Sequence, residues 1–114
     1  MNLGRIIKLL DCDSIAEEND LNIEVQYAFA SDLMSDILVN PRPGALLITG
    51  LINNQAIRTG KIAGSCAVVF VRNKKPNQGT IELAKDYKMP VLITGLSMFE
   101  VCGILSSHGI HGIS

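Results

Sequence analysis

The chain has 114 residues and a mass of 12.3 kDa, which bounds it to one domain over residues 1–114. Apolar residues make up 47%, charged residues 18% and the net charge is −1, which excludes a disordered chain and argues against a general nucleic-acid binder. Area scaling gives about 6,000 Å² of accessible surface when folded against about 18,000 Å² unfolded, so a core is feasible without staples.

Leu3 to Leu10 reads as a short helix with Ile6, Ile7 and Leu10 on one face. Cys12 to Ala16 reads as a short strand, and Glu17-Glu18-Asn19-Asp20 as a polar turn. Ile23, Val25, Tyr27 and Phe29 alternate with Glu24, Gln26, Ala28 and Ala30, the period of a strand with one buried face. These two strands are expected to be hairpin-like. Ser31 is placed to cap the following helix, with Asp32 at the positive end of its dipole and Leu33, Met34, Ile37 and Leu38 at helical spacing. Pro41 and Pro43 end it.

Three apolar runs follow, Ala45–Thr49, Ala67–Val71 and Val91–Thr94, of the kind covered on both faces in parallel sheets. Helical segments separate them. Gln55–Ala63 follows an Asn53-Asn54 cap and is weakened by Gly60. Thr80–Lys88 follows a polar loop from Arg72 to Gly79. After the third run, Ser97 and Glu100 have capping-box spacing, Met98, Val101, Cys102 and Leu105 form the apolar stripe, and Gly109 stops the helix. Alternation of this kind predicts a mostly parallel α/β sheet with short connections.

The cysteines, Cys12, Cys66 and Cys102, are odd in number and lack C-x-x-C spacing, which argues against a disulfide framework or structural zinc and for a reducing cytoplasm. Cys66 and Cys102 read as core filler. Residues 1–10 carry no signal-peptide pattern, and no apolar stretch approaches the ~20 residues that span a bilayer, so no membrane association is expected. Gly60-Lys61 fails as a phosphate loop, because Ile62 follows where Ser or Thr is needed. His108 and His111 lie in a Gly-rich tail that reads as a frayed terminus, and two imidazoles without a third ligand make a poor metal site. No nucleophile–base pair is evident, so neither a catalytic residue nor a cofactor is expected.

One constellation remains. In an open α/β sheet, ligands bind outside the carboxyl ends of the strands. Those ends bring Asp32, Asn53, Asn54, Arg72, Lys74, Lys75, Thr94 and Ser97 to one rim. Helix starts there offer free N–H groups to an anion, and Arg72, Lys74 and Lys75 concentrate positive charge in an otherwise neutral chain. The competing reading makes Ser31, Asn53 and Ser97 simple caps and the basic residues a solvated loop.

The run from Tyr27 to Leu38 resembles the strand–helix signature near the start of DRTGG domains. Leu47-Ile48-Thr49-Gly50, Arg58-Thr59, Ala67–Arg72, Pro90–Thr94 and Ser97–Val101 follow in family order, so the resemblance covers nearly the whole chain and is greatest to small stand-alone members. Asn53-Asn54 stands where the family's Asp-Arg pair is expected, and Val71-Arg72-Asn73 where Thr-Gly-Gly is expected. The resemblance implies a single α/β domain, a mostly parallel sheet with helices on both faces, similar to the N-terminal domain of a bacterial HPr kinase. Fused family members accompany CBS domains in regulated pyrophosphatases and precede phosphotransacetylase catalytic domains, which implies a regulatory or assembly role. The family's habit, together with the apolar surplus of 47%, implies a homodimer, and the family setting is bacterial. Stand-alone relatives imply a setting in anaerobic, hydrogenase-linked redox metabolism.

Three functions compete. The first is a non-catalytic regulatory module that binds a small anionic ligand such as a nucleotide at the rim. The second is a dimerising module that docks to a partner enzyme. The third, a small enzyme, has the least support.

Overall fold

The apolar runs become the middle of a sheet. The computed structural model describes residues 1–113, and among them the strands are β1 (Asp13–Ile15), β2 (Tyr27–Ala30), β3 (Leu46–Thr49), β4 (Ala67–Phe70), β5 (Val91–Ile93) and β6 (His111–Gly112). The helices are α1 (Leu3–Leu9), α2 (Met34–Val39), α3 (Asn54–Ala63), α4 (Gln78–Asp86) and α5 (Met98–Ser107), with a 3-10 segment over Glu18–Asn22. Strand order is β1-β5-β4-β3-β2-β6. All neighbours are parallel except β1, which pairs antiparallel with β5.

Strands β3, β4 and β5 are buried along their whole length because both faces are covered. Leu47, Val68, Phe70, Val91 and Ile93 face Met34 and Ile37 of α2, Ala56 and Ile57 of α3, and Ala84 of α4. Leu46, Ile48, Ala67, Val69 and Leu92 face Leu3 and Ile6 of α1 and Val101 and Leu105 of α5. The result is three layers, α/β/α. The accessible surface, 6066 Å², matches the value of about 6,000 Å² expected for a folded chain of this mass. Gly60 has a packing reason: a Cβ there would stand 3.2 Å from Val68 Cγ2, so α3 uses the glycine to lie close on the sheet.

Several expectations need correction. The first two strands form no hairpin; β1 joins β5 at one side of the sheet and β2 joins β3 toward the other. The alternating segment enters the strand only at Tyr27, and the polar turn before it winds as a 3-10 segment. Ser31 does not cap α2, whose N-cap is Leu33; the Ser31 hydroxyl instead accepts from the Leu33 N–H at 3.0 Å. Helix α4 starts at Gln78 rather than Thr80, because the Asn77 side chain caps it by accepting from the Thr80 N–H. The tail is not frayed: His111 and Gly112 pair with Tyr27 and Ala28, making β6 a parallel neighbour of β2.

Candidate functional site

From β2 to β5 the chain steps across the sheet one strand at a time, with α2, α3 and α4 all packed on one face. The loop after β5 departs to the other face, where α5 carries the chain back over the sheet to β6. Adjacent strands β4 and β5 therefore send their outgoing loops to opposite faces. Such switch points, at the carboxyl ends of the strands, are where α/β sheets commonly bind ligands.

Arg72 and Asn73 lie in that position, directly after β4. The Arg72 N–H donates to the Leu96 carbonyl at 2.8 Å and the Asn73 N–H to the Thr94 carbonyl at 2.7 Å, so the two outgoing loops are stitched together. Both residues are left-handed, with φ of 58° and 55°. Two consecutive non-glycine residues in that region store strain that the stitching hydrogen bonds hold in place. These are the positions at which the DRTGG resemblance expects two glycines.

The other rim residues fall into two groups. Lys74 donates to the Gly50 carbonyl at 3.5 Å, tying the β4 loop to the β3 loop, whereas Arg72 and Lys75 are exposed. Among the described residues neither Arg72 nor Lys75 has an ion-pair partner; the ion pair there joins the chain's amino terminus to Glu24. Ser97 and Asn53 have cap geometry at the rim. The Ser97 hydroxyl accepts from the Glu100 N–H at 3.2 Å while the Glu100 carboxylate accepts from the Ser97 N–H at 3.1 Å, and Asn53 accepts from the Ala56 N–H at 3.2 Å.

Three expected site residues are occupied in holding loops. The exposed Asp32 accepts from the Gly50 N–H at 2.7 Å and the Thr49 hydroxyl at 3.1 Å, fastening β2's exit to that of β3. Asn54 accepts from the Thr80 hydroxyl at 2.7 Å, joining the first turns of α3 and α4. Thr94 is buried; its hydroxyl donates to the Leu10 carbonyl at 2.6 Å and accepts from the Leu96 N–H at 3.2 Å. The rim's free hydrogen-bonding capacity thus concentrates at Arg72 and Lys75, with Lys74 beside them.

A concavity of about 320 Å³ lies at the opposite end of the sheet, and another of about 260 Å³ between α5 and β2–β6; no rim candidate lines either. Burial pushes the Cys12 thiol to about 12, with Asp11 and Asp13 adding to it, and the Cys66 thiol to about 11, so neither is an activated nucleophile. His108 Nδ1 lies 2.8 Å from the Ile104 carbonyl, while the His111 ring packs on Tyr27, so the two imidazoles serve different contacts. Among the described residues no cluster of three His, Cys, Asp or Glu could hold a metal ion, and no helix is long and apolar enough to cross a membrane.

Sequence reading missed three features of the rim: the β4/β5 switch, the left-handed pair and the Lys74–Gly50 tie. The first depends on strand order. The paired glycines of the family pattern were the one signal for the second.

No family model matches the sequence, and no curated protein matches it significantly. Among solved structures the chain is similar to the CBS and DRTGG domains of the regulatory region of Clostridium perfringens pyrophosphatase, complexed with its activator diadenosine tetraphosphate. The TM-score is 0.74 at 17% identity, over 91% of this chain and 45% of that one. The likeness is one of fold, a DRTGG-like α/β domain, and this chain spans less than half of that structure's length.

Proposed function

We propose that the chain is a non-catalytic regulatory module that senses a small anionic ligand of the nucleotide class at the β4/β5 switch point. The observation that carries this reading is Arg72. Its backbone is fixed in a strained conformation by the Leu96 carbonyl, yet its guanidinium is exposed and has no ion-pair partner among the described residues. Lys74 and Lys75 extend the positive charge, and the capped start of α5 follows the neighbouring strand β5. A guanidinium so placed meets a phosphate with charge-assisted hydrogen bonds, each contributing about 1.5–3 kcal/mol. A regulatory region of similar fold that takes a dinucleotide activator supports the same class of ligand.

Calorimetric titration with ADP and with pyrophosphate tests this. Binding to the wild type, weakened about tenfold or more in Arg72→Ala with little change in melting temperature, is the expected result. No binding of either probe, or equal affinity in both proteins, removes the anion site.

A second reading, a dimerising module that docks to a partner enzyme in the bacterial cytoplasm, draws on the exposed apolar side chains. Phe99 is 87% exposed, Val39 81% and Leu33 58%. Light scattering at micromolar concentration should give about twice 12.3 kDa; a monomer mass removes the homodimer.

A further inference from the structure

At the end of the sheet opposite the rim, the antiparallel pairing of β1 with β5 leaves a cavity of about 320 Å³. Its apolar lining is Ile15 and Ala16 from the end of β1, Ala84 of α4, and Met89 and Pro90 ahead of β5. Charges of opposite sign line it as well: Lys85 and Lys88 at the end of α4, and Glu17 and Asp20 at the 3-10 segment. Among the described residues neither lysine forms an ion pair with either carboxylate. Asp20 is held in place on the 3-10 segment, its carboxylate accepting from the Glu17 N–H at 2.9 Å while its own N–H donates to the Glu17 carbonyl at 3.0 Å, so part of the acidic side is pre-formed.

Concave, mostly apolar sites with a few fixed polar groups are where small ligands bind. Lysines and carboxylates that face one cavity without pairing leave both charges available to an occupant carrying one of each. We propose that this cavity binds a small zwitterion with an apolar body, of the apolar α-amino acid class. Its carboxylate meets Lys85 and Lys88, its ammonium meets Glu17 and Asp20, and its side chain lies against Ile15, Ala84 and Met89. The site shares no residue with the rim and does not depend on the anion reading.

Amide chemical shifts of the full chain, titrated with L-leucine, L-methionine and L-phenylalanine, test the proposal. The expected result is saturable shifts at residues 15–17, 20, 84, 85, 88 and 89 with at least one of the three at millimolar concentration. For leucine as ligand, 4-methylpentanoate, which lacks the ammonium, and isoamylamine, which lacks the carboxylate, should each bind at least fivefold more weakly. The exposed double variant Lys85→Gln/Lys88→Gln should weaken amino-acid binding at least fivefold while Arg72→Ala leaves it unchanged. No shift with any of the three amino acids, an affinity for 4-methylpentanoate equal to that for leucine, or an unchanged affinity in the lysine variant overturns it.

Discussion

Arg72 combines two properties that a single substitution separates. At φ 58° an L side chain costs about 1–2 kcal/mol relative to glycine, offset in part by the greater freedom glycine has when unfolded. Arg72→Gly should therefore raise stability by about 0.5–1 kcal/mol, read from the urea midpoint, while lowering ADP affinity about tenfold. A residue kept only for folding would not give opposite signs. Cys12 gives a second residue-scale prediction. Burial first, then Asp11 and Asp13, lifts its thiol from the ordinary 9.0 to about 12. Between those values the unfolded thiol has lost its proton and the folded one keeps it, so the native state binds more protons and stability falls as pH rises. The urea midpoint should fall more steeply from pH 8 to pH 10.5 in the wild type than in Cys12→Ala, and equal slopes would refute the shift.

At the scale of elements, caps and exits fix where the rim lies. Helix α3 ends at Gly64, φ 76°, whose N–H donates to the Lys61 carbonyl and where a Cβ would stand 3.2 Å from Pro43 Cα. Gly64→Ala should cost about 1–2 kcal/mol by denaturant titration, because both the left-handed backbone and the Pro43 main chain oppose it. Gly103, inside α5 with nothing within 4 Å of an added Cβ, should behave oppositely, Gly103→Ala adding about 0.5–1 kcal/mol. Such local chemistry is what the amino-acid sequence reveals well. The continuous apolar runs marked β3, β4 and β5, and Asn53 and the Ser97–Glu100 pair cap α3 and α5 as their spacing implies. Ser31 and Asp32 misled because their partners are decided at longer range: Gly50's N–H, 18 positions away in the chain, draws the Asp32 carboxylate from the helix start. β6 has two residues, too few for any period, and only its register with Tyr27 and Ala28 identifies it. That the rim residues lie at or just beyond the carboxyl ends of the strands was legible, but which of them are engaged in holding loops was not. That depends on Thr94 turning inward to Leu10 and Asn54 binding Thr80, contacts between segments distant in sequence.

For the whole molecule, the sheet separates the rim at β4 and β5 from the segment that covers β2. Hydrogen bonds from the His111 N–H to the Gln26 carbonyl, 2.9 Å, and from the Ile113 N–H to the Ala28 carbonyl, 3.0 Å, hold β6 there. The His111 ring lies 5.9 Å from Tyr27, whose face the Arg42 guanidinium covers at 3.6 Å, and Ile110 is buried beneath α5's end. An uncovered β2 would present unpaired N–H and C=O groups to another chain. Ile113→Pro deletes one of the two bonds, since proline has no N–H. It should cost about 1 kcal/mol, speed amide exchange at His111, and raise the scattering mass with concentration as β2 becomes available to a second molecule. ADP affinity should stay within twofold of wild type, because β2 and β3 lie between β6 and the switch point and the stitching of Arg72 to Leu96 is untouched. A tenfold loss of ADP affinity in Ile113→Pro would instead show that the edge and the rim respond as one element, and the regulatory output would then have to be sought at β6.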